Sequence, residues 1–342
     1  MQEYIIIFFS ALVSLFIARK VARRIGLVDK PNARKHHNGH IPLVGGVSIY
    51  ICIWVIYFLQ PEWFPDFYYY IISVTLLLGV GVLDDRFDLP VTPRIALQAI
   101  VAIIMMVSGI RLITLGDIFL GHAIGLGIFG YVITIFAVMS AINAFNMVDG
   151  IDGLLGALSC VSFASLGVVF GLHGKEELAQ WCICLTIACV PYILLNLGIP
   201  WGRKFKVFMG DAGSTLIGFT VIWLLILATQ GQSAIIHPVT ALWLIAVPLM
   251  DMVRVMISRI RRGDSPFKPD REHLHHILLK YGFSHIKALV IVLIISISFS
   301  VIGIMLDQYN TSQLAVLILF LFCFGLFVKY INSMGKKAEK VE

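Results

Sequence analysis

Charged residues are scarce in this chain: Asp, Glu, Lys and Arg fill only 13% of its 342 positions, while hydrophobic residues fill 59%. A water-soluble surface needs far more polar side chains, so an ordinary soluble domain is excluded. Low-complexity linkers are also missing, and no second domain is visible. We therefore expect a single integral membrane domain that covers residues 1–342.

Cysteine chemistry is the second absence. All six cysteines lie inside apolar runs, and none is spaced with histidine as a metal site would require. The closest pair, Cys182 and Cys184, also falls within such a run, where a thiol behaves as a small apolar packing group. The cysteines therefore predict packing and no metal centre.

Long apolar runs are what the chain has instead. There are about eleven, most of roughly 17–22 residues, which matches a bilayer core of about 30 Å. Because backbone groups in lipid must be paired within their own segment, we expect an all-α, polytopic bundle. The first run is followed by positive charge and lacks a small-residue cleavage site, which favours a retained helix over a signal peptide. The predicted helices lie near residues 5–18, 43–60, 67–83, 94–110, 123–142, 153–172, 180–197, 214–230, 236–257, 288–306 and 312–332.

Positive charge is distributed very unevenly among the connections. Those after odd-numbered helices and the C-terminal tail, together with the helix ends that border them, hold 24 of the 26 Lys and Arg residues, whereas the even connections hold only Arg111 and Lys175. The positive-inside rule then places the N-terminus outside and the C-terminus in the cytoplasm. Topology explains part of the net charge of +6, so no nucleic-acid partner is needed. The cytoplasmic connections lie near residues 19–43, 84–94, 143–152, 198–213 and 258–287.

Three acidic residues, Asp84, Asp85 and Asp88, follow the third apolar run. On a helix, Asp84 and Asp88 would share a face, and Asp85 and Asp88 would be near neighbours. Such carboxylates repel one another unless a metal, a proton or a cationic ligand joins them. The alternative is a solvated helix end, but acids at a helix C-terminus oppose the helix dipole. The cluster therefore indicates a functional site.

Four polar residues recur at every third position after the fifth run: Asn143, Asn146, Asp149 and Asp152. Carboxylates at a membrane boundary are costly and usually face a partner or a cavity. Helix capping would explain one of these residues and not all four. This segment is the strongest sign of a site in the sequence.

A glycine-rich turn, Gly210 to Ser214, leads into the eighth run. It presents Asp211, whose carboxylate suits a hard cation such as Mg²⁺. Capping of the following helix by Asp211 or Ser214 is the alternative.

The longest cytoplasmic connection carries Arg271, His273, His275 and His276. Arg271 is suited to bidentate phosphate contacts, and His273 and His276 would share a face of a helical segment. A zinc site and an ordinary surface helix are the alternatives, although no cysteine accompanies the histidines.

Two smaller features complete the pattern. Residues 29–46 mix cations, histidines and glycines in the first cytoplasmic connection. In the ninth run, Asp251 and Arg254 are spaced as a structural ion pair.

Taken together, these segments resemble the polyprenyl-phosphate N-acetylhexosamine-1-phosphate transferases, from the first cytoplasmic connection through His276. Asp84 to Asp88 looks like the family's aspartate-rich motif, and Asn143 to Gly153 is similar to its Asn-x-x-Asn-x-x-Asp-Gly-x-Asp-Gly signature. Phe208 to Asp211 looks like its magnesium-binding segment, and His273 to His276 like its histidine motif. Residues 265–276 are most similar to the bacterial branch that uses UDP-N-acetylglucosamine. The branch with a muramoyl-pentapeptide substrate typically has Lys where this chain has Asp88.

The resemblance implies transfer of N-acetylglucosamine 1-phosphate from UDP-N-acetylglucosamine to undecaprenyl phosphate, with UMP as the second product. It implies Mg²⁺ as cofactor, with Mn²⁺ as a substitute, and a cytoplasmic active site in the inner membrane of a bacterium. A homodimer and another UDP-N-acetylhexosamine stay open. The implied residues are Asp84, Asp85, Asp149, Asp152 and His276 for catalysis, Asp88, Asn143, Asn196, Phe208, Arg271, His273 and His275 for substrate binding, and Asp211 and Asn146 for the metal.

Two other classes of protein share some of these features. A transporter or flippase for an anionic lipid also has intramembrane acids, but near helix midpoints and across broken helices. In this sequence the acids gather at one boundary. A metal-dependent lipid phosphatase would share the carboxylates and Mg²⁺ but would release inorganic phosphate.

Overall fold

The computed structural model describes residues 1–29, 39–119, 121–232, 234–266, 268 and 270–338, and the chain is 75% helical. Across these residues there are thirteen α-helices and one two-stranded ribbon. The helices are α1 (Gln2–Ile25), α2 (Gly45–Leu59), α3 (Phe67–Phe87), α4 (Val91–Val107), α5 (Phe129–Met147), α6 (Leu154–Leu172), α7 (Glu176–Leu197), α8 (Gly210–Thr229), α9 (Pro238–Leu244), α10 (Ala246–Arg261), α11 (Leu274–Lys280), α12 (His285–Gln308) and α13 (Gln313–Ala338). The strands are β1 (Val28–Asp29) and β2 (Ile41–Pro42), paired antiparallel.

Eight of these helices are long and apolar enough to cross a membrane, and α9 with α10 would make a ninth. The two shorter apolar helices, α2 and α4, account for the remaining runs seen in the sequence. The prediction of an all-α polytopic membrane protein is confirmed.

The ninth run is not the single helix that residues 236–257 predict. It breaks at Ile245, and α9 and α10 meet at an angle of 85°. Pro248 gives the reason, because it has no N–H to donate to the carbonyl of Leu244 and its ring would clash with that carbonyl. The chain therefore turns before the proline and restarts as α10.

The fifth helix begins later than the predicted residue 123. Residues 113–119 pair with residues 121–126, with Leu115 N donating to Ile124 O at 3.0 Å and Ile124 N to Gly116 O at 3.0 Å. Glycine favours such turns and weakens a helix, and this segment has Gly121, Gly125 and Gly127. The helix instead runs from Phe129 to Met147, so Asn143 and Asn146 lie on its last turns.

Helix α8 lies at the centre of the bundle. Its apolar window is 89% buried, compared with 22% for α13. It packs against α2, α3 and α5, and its first turn carries Asp211. The end of α3, the start of α4 and the end of α5 therefore meet the beginning of α8 at one end of the bundle.

Candidate active site

Four helices bring polar side chains together around the first turn of α8. Asp84 comes from α3, Arg94 from α4, Asn146 from α5 and Asp211 from α8. Asn146 Nδ2 donates to Asp211 Oδ1 at 2.6 Å, and Arg94 Nη1 lies 2.7 Å from Asp84 Oδ2 and 3.7 Å from Asp211 Oδ2. The structure therefore assembles one cluster from residues up to 127 positions apart in sequence.

Arg94 is the functional side chain that sequence reasoning missed. Its guanidinium stands between the carboxylates of Asp84 and Asp211 and balances part of their charge. The one available signal was its position, since Arg94 is a cation at the start of an otherwise apolar helix. Asp84 also accepts from Leu89 N at 2.8 Å, which fixes the turn between α3 and α4.

Asp85 holds the N-terminus of α8. Its carboxylate oxygens accept from the backbone N–H groups of Asp211 at 2.8 Å and Ala212 at 3.3 Å. First-turn N–H groups have no partner within their own helix, and a negative charge there is favourable. Gly210 makes the contact close, since a Cβ at this residue would lie 2.4 Å from Asp85 Oδ2. Asp85 therefore positions Asp211.

Asp211 keeps the more open carboxylate of this cluster, with 37% of its side chain exposed against 3% for Asp84. Besides Asp211, the amide nitrogen of Asn146 also contacts Ser214 Oγ at 2.8 Å. Asn143 lies one turn deeper, where its Nδ2 donates to Gln98 Oε1 at 2.8 Å. Both asparagines thus line the same groove.

The expectation that Asp88 shares a helical face with Asp84 is wrong. Asp88 ends α3 in the left-handed conformation, at φ 53°, and its side chain is exposed. The turn toward Pro90 stops the helix, because a residue shortly before proline seldom continues an α-helix.

The groove at this cluster is polar at one end and apolar along its walls. Asp84, Arg94, Gln98, Asn143, Asn146 and Asp211 form the polar part. Helices α3 and α4 supply the apolar part, which includes Leu77, Val80, Ile95 and Leu97. Such a groove suits a ligand with an anionic head and a hydrocarbon body.

A second group of polar residues lies on the connections that follow α5 and α7. Asp152 Oδ2 lies 2.6 Å from Lys206 Nζ, and the Lys206 ammonium lies 5.2 Å from the centre of the Phe208 ring. Asp149, which lies three residues before Asp152 in the chain, is exposed. The positive-inside rule accounts for positive charge in this connection, so the sequence alone did not predict a specific contact for Lys206.

Asn196, which the family resemblance implies as a substrate-binding residue, is buried between two backbone segments. It is 2% exposed, its oxygen accepts from Gly153 N, and its Nδ2 donates to Val207 O at 2.7 Å. Both ends of the amide are therefore used to join two backbone segments. This placement favours a structural role, and substrate binding by Asn196 stays a prediction.

The histidine segment is anchored by the ion pair in α10. Asp251 accepts from Arg254 at 2.8 Å and from Leu274 N at 2.9 Å, and its other oxygen lies 2.8 Å from His273 Nδ1. All these contacts are buried. The ion pair expected from the sequence is present, and it fixes the start of α11.

His275 is buried against the loop that follows α5. A Cβ on Gly150 would lie 1.9 Å from His275 Nε2, so only glycine allows this approach. Burial lowers the pKa of His275 to about 3, and burial together with the nearby His273 lowers the pKa of His276 to about 4. Both imidazoles are neutral at pH 7, so their predicted phosphate contacts would rest on hydrogen bonds alone.

Of the four residues in this segment, Arg271 is exposed, whereas His273 and His275 are buried. Arg259 holds the preceding loop, with its Nε 2.6 Å from Asp270 Oδ2. The segment thus presents Arg271 and part of His276 outward. The cations and histidines at residues 30–38 of the first connection lie outside the described residues.

In the part of the chain that the structure describes, no three His, Cys, Asp or Glu residues are arranged to hold a metal ion. The donor chemistry around Asp211 nevertheless fits Mg²⁺. This ion takes oxygen ligands and is commonly held by one or two carboxylates together with water and substrate phosphates.

Comparison with known proteins gives the class to which this site belongs. Residues 67–229, which hold all four residues of the cluster, match the model of glycosyl transferase family 4. The chain is 49% identical to undecaprenyl-phosphate alpha-N-acetylglucosaminyl 1-phosphate transferase of Salmonella typhi, over 100% of this chain and 94% of that protein.

Proteins of the same name in Escherichia coli K12 and Haemophilus influenzae are 49% and 44% identical. The alignments cover 99% and 100% of this chain, and 93% and 99% of those proteins. The chain therefore belongs to glycosyl transferase family 4, and the resemblance seen in its motifs is confirmed.

Proposed function

We propose that this protein transfers N-acetylglucosamine 1-phosphate from UDP-N-acetylglucosamine to undecaprenyl phosphate, yielding undecaprenyl-diphospho-N-acetylglucosamine and UMP. The names of the full-length relatives support this reaction. The observation that carries it in the structure is the groove lined by α3, α4, α5 and α8. Its polar end holds Arg94 between Asp84 and Asp211, and its walls are apolar.

Both substrates are anions, so their mutual repulsion is the main physical obstacle. Arg94 lies where it can offset the charge of a phosphate at the polar end of the groove. A phosphate monoester with its second pKa near about 6 is largely ionised at pH 7 and needs no base to attack phosphorus. In the proposed reaction, an oxygen of the lipid phosphate forms a new P–O bond as the bond to UMP breaks.

Asp211 and Asn146 would hold Mg²⁺, or Mn²⁺ in its place, and the bound ion would supply positive charge to the diphosphate. Asp85 fixes the first turn of α8 and so orients Asp211. Positioning of this kind can provide much of the acceleration in phosphoryl transfer. We assign Asp85 to this orienting role, rather than to that of a base.

The proposal also includes the membrane in which the protein lies and the face that holds its active site. The apolar helices and the bacterial relatives support a multi-pass protein of the inner membrane. We place the active site on the cytoplasmic face, since the connections around it carry most of the positive charge.

The test is a transfer assay with purified protein in nanodiscs, UDP-[¹⁴C]N-acetylglucosamine and undecaprenyl phosphate. The expected result is equal amounts of labelled lipid and UMP, lost with EDTA and restored by Mg²⁺. Release of inorganic phosphate without labelled lipid would instead identify a lipid phosphatase. Uptake without any new covalent product, in a vesicle version of the assay, would identify a transporter. Competition by other unlabelled UDP-N-acetylhexosamines tests the choice of sugar.

A further inference from the structure

The ion pair between Asp152 and Lys206 has no part in the chemistry described so far. Lys206 Nζ lies 2.6 Å from Asp152 Oδ2, and the lysine side chain is only 15% exposed. The same ammonium lies 5.2 Å from the centre of the Phe208 ring. A cation near the ring is attracted to its face, so Lys206 has two partners at once.

The backbone on both sides of this pair is held in register. Asn196 links Gly153, the residue after Asp152, to Val207, the residue after Lys206. Phe208 is in turn tied to the first connection, since Phe208 N donates to Pro42 O at 2.9 Å. The contact between the two side chains is therefore built into the fold at this point.

The ion pair also joins the same two chain segments as a contact of the catalytic cluster. Asn146 and Asp152 lie on one chain segment, and Lys206 and Asp211 lie on the other. The contacts Asn146–Asp211 and Asp152–Lys206 thus join the same two segments, six residues apart on one and five on the other. On its own segment, Lys206 is the cation nearest in sequence to Asp211.

Stabilisation of the fold is a weak explanation for this ion pair. Asp152 is 39% exposed, and an ion pair open to water contributes little. Lysine carries a compact charge on a flexible stem and changes partners readily. A nucleoside diphosphate offers more negative charge than the single carboxylate of Asp152.

We propose that Lys206 is a binding residue for the donor nucleotide, held by Asp152 when the site is empty and transferred to the donor diphosphate when UDP-sugar enters. This inference rests on the proposed function. The move leaves Asp152 without its counter-ion. Since Asp152 competes with the ligand for Lys206, it lowers the apparent affinity for the nucleotide.

The experiment measures binding of UDP and of uridine by calorimetry to protein in nanodiscs without lipid phosphate. Lys206→Met is expected to weaken UDP binding about tenfold or more, the usual effect of losing a hydrogen bond to a charged group. Binding of uridine, which has no phosphate, should change little. Lys206→Arg should restore most of the UDP affinity. Lys204→Met removes the same charge from an exposed position two residues away and should match the wild type.

Asp152→Asn should change UDP affinity in the opposite direction. It should tighten UDP binding several-fold, and this gain should vanish when Lys206 is already Met. Wild-type affinity for UDP in Lys206→Met, an equal loss for uridine, or weaker UDP binding in Asp152→Asn would each overturn the proposal. The transfer assay is separate: UDP binding that depends on Lys206 in a protein without transferase activity would refute the proposed function and leave this inference intact.

Discussion

At the scale of single residues, the site consists of carboxylates with distinct partners. Asp84 is paired with Arg94, Asp85 holds the amides of α8, and Asp211 keeps an open side chain beside Asn146. Three acids that look alike in sequence are thereby separated into a charge partner, a helix cap and a metal-ligand candidate. Each assignment predicts a different phenotype.

Arg94 should contribute to turnover through its charge. Arg94→Met is expected to lower kcat/KM by about 10²-fold or more, because removal of one fixed donor at a reacting anion commonly has that effect. Arg94→Lys should lose less, since it keeps the charge but not the paired donors. The measurement is steady-state transfer in nanodiscs. Arg86→Met, at the exposed end of α3, is the matched control, and equal losses in both would show a general effect of charge.

Substitutions of Asp85 and of Asp211 should differ in their effects on activity and on thermal stability. Asp211→Asn is expected to abolish transfer and leave the thermal midpoint near the wild-type value, since an amide is a poor Mg²⁺ ligand. Asp85→Ala should lower both activity and midpoint, because the N–H groups of Asp211 and Ala212 lose their acceptor, and a buried donor left without a partner costs about 1–3 kcal/mol. The same purified samples serve for the transfer assay and for thermal unfolding. A normal midpoint in Asp85→Ala would argue against its role as the cap of α8.

At the scale of secondary-structure elements, α11 packs against the loop that follows α5. Asp251 fixes its start through His273, and His275 then presses on Gly150. The loop that carries Asp149 and Asp152 is thus supported from a segment more than 120 residues away. This arrangement gives the buried side chains of His273 and His275 a role in supporting that loop.

Gly150→Ala tests that support directly. The new methyl group would overlap His275, so the loop or α11 must shift. We expect kcat to fall strongly while the protein stays folded, and His275→Ala in the same chain should restore part of the activity by making room. Gly125→Ala is the matched control, because Gly125 is a loop glycine that, like Gly150, is not left-handed but has open space around it. No rescue by the second substitution would remove the contact from the explanation.

The pKa of His275 predicts how stability depends on pH. Its value of about 3 in the folded protein lies below the unfolded value of about 6.5, so the unfolded state binds the extra proton. The contribution of His275 to the free energy of unfolding should therefore be fully present above pH 6.5. It should fall as pH decreases toward 3, by up to about 1.4 kcal/mol per pH unit. Thermal midpoints measured from pH 8 to pH 5 should show the decline, and His275→Gln should flatten it. An unchanged slope would assign the acid sensitivity elsewhere.

The elements show how far the sequence alone could reach. Run length and the cost of charge in lipid were enough to predict the helices and the segments that carry the site. The sequence alone could not predict the pairing of Arg94 with Asp84, because this pairing depends on the turn between α3 and α4. The role of Asn196 was also hidden, since Gly153 and Val207 meet only in the folded chain. The break before Pro248 was visible in principle, but the continuous apolar pattern outweighed it.

At the scale of the whole molecule, the connections sort into two groups at opposite ends. Near the site, the ends of α3 and α5 and the start of α8 contact one another. At the far end of α8, Gln230 Oε1 accepts from Ile113 N at 2.9 Å and Thr114 N at 3.1 Å, so two even connections meet there. A helix of 20 residues spans about 30 Å, which separates the two groups by a bilayer core.

This separation predicts the outcome of cysteine labelling in intact cells. With the reactive native thiols replaced, Phe87→Cys, Lys204→Cys and Lys280→Cys should react only with a membrane-permeant maleimide, since each exposed position lies at the site end. Glu62→Cys and Lys175→Cys should also react with an impermeant reagent added outside. Permeabilised cells provide the control, because all five positions should then react with both reagents. Because Arg94 and Asp211 contact each other, their connections must share one face. External labelling at any of the three inner positions would therefore contradict the cytoplasmic active site, and a split among those three would contradict the bundle itself.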